Sequence, residues 1–221
     1  MSRRARIGLL GGSFDPIHVG HIALGAAADA ALALDELRFL PAGLAWQKQQ
    51  PAGQPQRTAA GHRLEMARIA LANCAPAHWR VDDIEVARSG PTYTVETLEA
   101  LRSALGPEVT LILILGSDQF RNLATWHRWR ELLDHAHLAV TTRERVTLEN
   151  LPLEIDALLA DHGAQTLADA PAGTIVTFTM PPVAVSATGI RRQLSRGEEP
   201  VGLLPAGVID YIRANQLYGI A

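Results

Sequence analysis

The sequence predicts an α/β protein with a doubly wound, mainly parallel sheet, helices on both faces of that sheet, and a short helical C-terminal end. Three observations lead there. Strand-like and helix-like stretches alternate along nearly the whole chain, and parallel strands need such crossovers. One stretch, Val109 to Leu115, is almost wholly apolar, as a central strand covered on both faces must be. A strand containing Ile7, Leu9 and Leu10 runs through Gly11 and Gly12 toward a helix that starts near Val19, which is a strand–loop–helix unit. The 221 residues suit one domain, 1–221, in which 185–221 forms the helical end.

In chain order, the first strand passes into a tight loop, Gly11 to Ile17, and then into a helix whose first turn carries His18 and His21. Ile22 to Leu34 continues that helix, rich in Ala and Leu at helical spacing. Leu37 to Leu40 is a short buried strand closed by Pro41. Residues 42–60 lack periodicity and hold much of the Gly, Pro and Gln. A loop of that length inside a compact domain is functional or mobile, so 42–58 is expected to move in the free protein.

His62 to Asn73 is a helix with Leu64, Ala67, Ile69 and Leu71 facing inward, and Trp79 to Val86 alternates as a strand. Thr92 or Thr94 caps a helix that runs to Leu105 and stops at Gly106-Pro107. Gly116-Ser117-Asp118 follows the apolar strand at its carboxyl end, where doubly wound sheets bind ligands. Trp126 to Leu133 is helical, His137 to Thr141 a strand, 153–162 a helix and Thr174 to Thr179 a last strand, before two short helices. His62, Arg63, His78, His135 and His162 read as surface or helix-end residues. Trp126 to Arg130 reads as part of one amphipathic helix with its cations in water.

Composition narrows the function. A net charge of −3 argues against nucleic acid or an anionic membrane as partner, since both want a basic face. The basic start, Met1 to Arg6, is followed by an apolar stretch that Gly11, Gly12 and Asp15 cut short, so a cytoplasmic protein is expected. No run approaches the ~20 apolar residues of a membrane span. Cys74 is the only cysteine, which leaves no internal disulfide and no thiolate metal cluster.

Residues 7 to 22 carry the most specific chemistry. A helix N-terminus offers unpaired N–H groups and partial positive charge, and Gly11 and Gly12 have no Cβ to hold an anion away from the backbone. His18 and His21 are three apart and share a helix face, while Gly20 between them keeps that turn slim beside a ligand. As a zinc site the pair lacks a cysteine or third histidine nearby, so no dedicated metal site is expected. Asp15, beside Pro16, is a loop former whose side chain bonds local N–H groups.

The string Gly-Gly-Ser-Phe-Asp-Pro-Ile-His-Val-Gly-His, from Gly11 to His21, resembles the signature of the H-x-G-H nucleotidyltransferases, and most closely that of the bacterial nicotinate mononucleotide adenylyltransferases. Ser186-Ala-Thr-Gly-Ile-Arg191 matches the family's second signature, a phosphate-binding turn that opens a helix. Pro41 with Lys48 matches the family's proline and basic residue in the second loop, and Tyr93-Thr94, Gly116-Ser117-Asp118, Thr125-Trp126 and Arg143 fall where the family has substrate contacts. One departure is Ala45-Trp46-Gln47, where the family often has Pro-Pro-His before the basic residue.

The resemblance implies a Rossmann-like fold and adenylyl transfer from ATP to nicotinate mononucleotide, giving the dinucleotide and pyrophosphate in NAD biosynthesis. It implies His18, His21, Lys48 and Arg191 as catalytic residues. Gly11, Gly12, Ser13, Phe14, Gly116, Asp118, Ser186 and Thr188 would bind ATP, and Tyr93, Thr94, Trp126 and Arg143 the mononucleotide. Mg²⁺ would arrive on the phosphates of ATP rather than in a carboxylate cage. A homo-oligomer is compatible with this reading. The rivals are an enzyme for nicotinamide mononucleotide or another small phosphate ester, and a nucleotide sensor without turnover. A dehydrogenase is disfavoured, because no G-x-G-x-x-G follows the first strand.

Overall fold

The structure is a computed structural model that describes residues 3–45, 58–143 and 148–220. Its strands are β1 (Arg6–Gly12), β2 (Glu36–Pro41), β3 (Leu44–Ala45), β4 (Trp79–Val81), β5 (Pro91–Thr92), β6 (Thr110–Gly116), β7 (His137–Arg143) and β8 (Ile175–Met180). Its helices are α1 (Val19–Leu32), α2 (Ala60–Cys74), α3 (Thr94–Leu105), α4 (Ser117–Arg121), α5 (Leu132–His135), α6 (Leu153–His162), α7 (Ala187–Leu194) and α8 (Val208–Ala214).

Six strands form one parallel sheet in the order β4-β2-β1-β6-β7-β8. Counted along the chain within that sheet, the order is 3-2-1-4-5-6, so strand order reverses between β1 and β6. Ligands of such sheets bind outside the carboxyl ends at that reversal. The short strands β3 and β5 pair separately. The fold class read from the sequence is the one observed.

The apolar run in β6 shows why both faces must be covered. Ile112 and Ile114 point into a core shared with α1, α2, α7 and α8, while Leu111, Leu113 and Leu115 point into a second core with α3, α4, α5 and α6. Every residue of β6 but Gly116 is buried, so the alternation that marks a half-exposed strand has no reason to appear.

Three local expectations fail for identifiable reasons. The strand expected over Trp79 to Val86 stops at Val81, because the Asp82 carboxylate accepts the Ile84 N–H at 3.0 Å and bonds Arg38 at 2.9 Å, turning the chain out of the ladder. The helix expected over Trp126 to Leu133 breaks into a turn at Trp129–Glu131 followed by α5, because Arg128 is left-handed (φ 49°) and ion-paired to Glu131 and Glu99.

The third concerns Arg63, read as a surface or helix-end residue: it does lie near the start of α2, but is buried there at 2% exposure. Its guanidinium donates to the carbonyls of Ser13 (2.7 Å), Ala42 (2.6 Å), Gly43 (3.1 Å) and Thr58 (3.0 Å). It thereby ties the loops after β1 and β2 to the segment entering α2. Arg102 does the same at the opposite end of the sheet, on the carbonyls of Gly106, Val109, His135 and Pro171.

Candidate active site

The carboxyl ends of β1 and β6 open into a crevice of about 310 Å³, lined among others by Gly11, Gly12, Ser13, His21, Thr94, Gly116, Asp118 and Trp126. Gly11 and Gly12 are the last residues of β1, in register with Leu40 and Pro41, rather than part of the loop. A Cβ on Gly11 would meet nothing within 4 Å, whereas one on Gly12 would strike the Phe14 ring at 2.7 Å. Phe14 is 1% exposed and stands edge-on to His21, with 4.9 Å between ring centroids. Its side chain therefore props His21 from below and leaves only backbone for a ligand.

His18 caps α1 from an extended backbone, and its ring stacks on His21 with centroids 3.7 Å apart. The His18 backbone N–H donates to Nδ1 of His21 at 3.2 Å. Nδ1 must be unprotonated to accept, which assigns the His21 proton to Nε2. His18 Nδ1 is buried with no hydrogen-bond partner among the described residues. Burial pushes the His18 imidazole down to about 4, so it is neutral in the free protein at neutral pH.

Gly20 is required by packing. A Cβ there would stand 2.8 Å from Val185 and 3.1 Å from His18 Nδ1. Val185 leads into the second signature, which is thus seated against the first. Ser186 caps α7 by accepting the Gly189 N–H at 3.1 Å. Its hydroxyl is engaged by the helix itself, while Thr188 is exposed and accepts from Arg191 Nη2 at 3.3 Å. Arg191 Nη1 donates to the Asp15 carbonyl at 2.6 Å, which places the guanidinium at the signature loop with one edge already committed.

On the other side of the crevice, Tyr93 occupies the cap position of α3 and Thr94 its first helical turn, so neither Thr92 nor Thr94 is the cap. Trp126 is partly exposed in an extended segment and faces the crevice. The Tyr93 ring lies 4.4 Å from that of His127. Asp118, at the start of α4, is exposed and accepts from Gln119 at 2.9 Å. Lys48 lies outside the described residues, as do Trp46, Gln47 and most of the loop expected to move. Arg143 ends β7 at the carboxyl edge of the sheet, and its side chain is outside them too.

Glu85 lines the crevice and was missed by the sequence reading, which placed it in a strand. The Thr97 hydroxyl donates to its Oε1 at 3.1 Å, and burial pushes its carboxyl pKa up. An acid set between the apolar Ile84 and Val86, at the end of the stretch Trp79 to Val86, was the available signal.

His18 and His137 make stability pH-dependent. His137 is fully buried, its Nδ1 accepting the Thr174 N–H, and burial lowers its pKa as well. Above about 6.5 both states leave these rings neutral. Between that value and about 4, the unfolded chain takes protons that folded His18 refuses, so stability must fall as pH falls. The melting temperature is expected to drop on acidification through this window, with a shallower slope in His18→Asn; equal slopes would contradict it.

A glycine-edged crevice at the reversal of a 3-2-1-4-5-6 sheet, with two helix starts docked on one another beside it, is the arrangement of a nucleotide-binding α/β protein. Residues 9–193 match the family model described as cytidylyltransferase-like. The chain is 44% identical over 218 residues to a probable nicotinate-nucleotide adenylyltransferase of Dechloromonas aromatica, covering 96% of this chain and 97% of the relative. It is 40% identical over 213 residues to a probable nicotinate-nucleotide adenylyltransferase of Bordetella petrii, covering 96% and 98%. The structure of Plasmodium falciparum nicotinic acid mononucleotide adenylyltransferase complexed with NaAD matches with a TM-score of 0.75 over 99% of both chains, a likeness of fold at 19% identity. The chain belongs to the cytidylyltransferase-like family and, within it, to the nicotinate-nucleotide adenylyltransferases.

Proposed function

We propose that this enzyme transfers the adenylyl group of ATP to nicotinate mononucleotide, giving nicotinate adenine dinucleotide and pyrophosphate in NAD biosynthesis. The observation that carries the reading is the docking of Arg191 on the Asp15 carbonyl, which brings the second phosphate-binding signature onto the stacked pair His18 and His21. A phosphate oxygen of the mononucleotide attacks the α-phosphorus of ATP, and the bond from that phosphorus to the bridging oxygen of pyrophosphate breaks. The nucleophile has its second pKa near 6 and is already ionised, so no general base is needed. The work is positioning two polyanions and stabilising charge on the transferring and leaving groups.

The residues divide that work. His21, through Nε2–H, and His18 donate to phosphate oxygens, and the start of α1 with Gly11, Gly12 and Ser13 lets phosphate approach the backbone. Arg191 offers the triphosphate its uncommitted N–H groups, joined by the start of α7 at Ser186 and Thr188 and by the charge of Lys48. Asp118 accepts from ribose hydroxyls beside Gly116. Trp126 stacks on the pyridine ring, Tyr93 and Thr94 open a helix whose N–H groups suit its carboxylate, and Arg143 belongs to the same mononucleotide-binding set. The described residues contain no group of three or more His, Cys, Asp or Glu that could hold a metal. Mg²⁺ therefore fits as an ion carried by ATP phosphates and water, where it would neutralise phosphate charge. Among the described residues no helix is long and apolar enough to cross a membrane.

Nicotinate and nicotinamide differ by a carboxylate against an amide, so selectivity requires donors and no acceptor that rewards the amide N–H₂. The raised pKa of Glu85 moves that carboxyl toward its donor form. Thr94 is the first helical residue, where proline is tolerated but removes one N–H. Thr94→Pro is expected to erode the preference for the acid while leaving the fold intact. Pyrophosphate release with a panel of phosphate esters tests the whole reading. A strong preference in kcat/KM for nicotinate mononucleotide is expected, and equal values for the acid and the amide would move the enzyme to a broader substrate class. Arg191→Lys keeps charge but loses the planar fork, and activity at limiting ATP should fall steeply; near-wild-type activity would remove Arg191 from the phosphate site.

A further inference from the structure

We propose that Tyr218 is a positioning residue for adenylyl transfer, its hydroxyl holding Asp15 so that the Asp15 carbonyl is a fixed anchor for Arg191. The inference rests on the function proposed above. Tyr218 sits in the last short turn, Leu217–Gly219, with its backbone at φ 61° and ψ 21°. A bulky aromatic side chain occupies that left-handed region only where surrounding contacts over-determine it, and such sites cluster near function.

The contacts in question are specific. The Tyr218 hydroxyl donates to Asp15 Oδ1 at 2.7 Å, and its ring packs against the core beneath α7 and α8. Asp15 was expected to satisfy its carboxylate on local N–H groups, yet that carboxylate reaches a residue 203 positions away. Asp15 is 6% exposed, so little water can substitute for the tyrosine. Burial, and next the Asp15 charge, push the Tyr218 hydroxyl pKa up, which keeps it a donor. From the other side, Arg191 Nη1 donates to the Asp15 carbonyl at 2.6 Å.

Asp15 thus receives one bond from each of two C-terminal segments, three residues before His18. Neither Asp15 nor Tyr218 lines the crevice, so any effect on chemistry must pass through Arg191 and the signature loop. A pair built this way sets geometry without touching substrate.

The test compares Tyr218→Phe, Asp15→Asn, Asp15→Ala and the double variant Asp15→Ala/Tyr218→Phe for kcat, for KM of each substrate, and for the melting temperature without ligand. Tyr218→Phe is expected to lower kcat about tenfold, the order of one lost hydrogen bond to a carboxylate, with KM for the mononucleotide moving less than about twofold. Asp15→Ala should fall to the same level and the double variant no lower, because the Asp15–Tyr218 bond is lost in each case. Asp15→Asn keeps an accepting oxygen and should recover most of what Asp15→Ala loses.

Wild-type kcat in Tyr218→Phe would overturn the proposal. So would Asp15→Asn as impaired as Asp15→Ala, which would make the charge itself the working feature, or losses in kcat that simply track melting temperature across the variants. A wild-type enzyme that forms no dinucleotide would sink the functional reading instead. ATP affinity by titration calorimetry then decides the positioning role, about tenfold weaker in Tyr218→Phe if it holds and unchanged if it does not.

Discussion

His21→Ala is expected to lower kcat by about 10²–10³, the usual cost of removing one donor aimed at developing charge. The magnitude follows from how firmly the ring is set. Nδ1 is fixed by the His18 N–H, Phe14 supports one edge, and His18 stacks on the face. Nε2–H is therefore pre-aimed, and no reorganisation is needed when phosphate arrives. His18→Ala should behave similarly, since a ring whose pKa burial pushes down to about 4 is a poor proton acceptor and keeps one N–H to donate. Rapid-quench measurement of the chemical step, alongside urea unfolding, separates this from structural damage. An activity loss fully explained by lost stability would make both histidines structural.

The largest expected effect on stability is at Arg63. Arg63→Leu leaves the carbonyls of Ser13, Ala42, Gly43 and Thr58 without their guanidinium donor in a water-poor interior. Unsatisfied buried carbonyls cost roughly 1–3 kcal/mol each, and partial relaxation brings the expected total to about 3–5 kcal/mol. That corresponds to a fall in melting temperature of roughly 10 °C for a chain of this size. Arg63→Lys should recover only part, because one ammonium cannot span four carbonyls in a plane. A loss below about 1 kcal/mol in Arg63→Leu, within the range of ordinary surface substitutions, would show that the loops hold their positions without the staple.

The contrast between these two sites shows what the sequence could reveal. β6 was legible because burial on both faces leaves an apolar run, and the His18 to His21 turn because its glycines and histidines form a dense local string. Arg63 was not legible. A cation in a helix reads as a solvated face, and its partners are backbone carbonyls, which leave no trace in side-chain identity. The Tyr218 to Asp15 bond is hidden for a related reason, since nothing local to either residue announces a partner so far along the chain. Gly20 is a small residue in a crowded place, and the side chains that crowd it are Val185, far along the chain, and His18. Glu85 was obscured by an alternation that Asp82 interrupts.

The most direct test is ³¹P NMR of the enzyme with equimolar ATP, nicotinate mononucleotide and Mg²⁺. The ATP and monoester resonances should fall together to equilibrium, matched one for one by the growing dinucleotide diphosphate and free pyrophosphate. ATP that stays undiminished in wild-type enzyme, or that is consumed to ADP and inorganic phosphate without a dinucleotide signal, would contradict adenylyl transfer at this crevice.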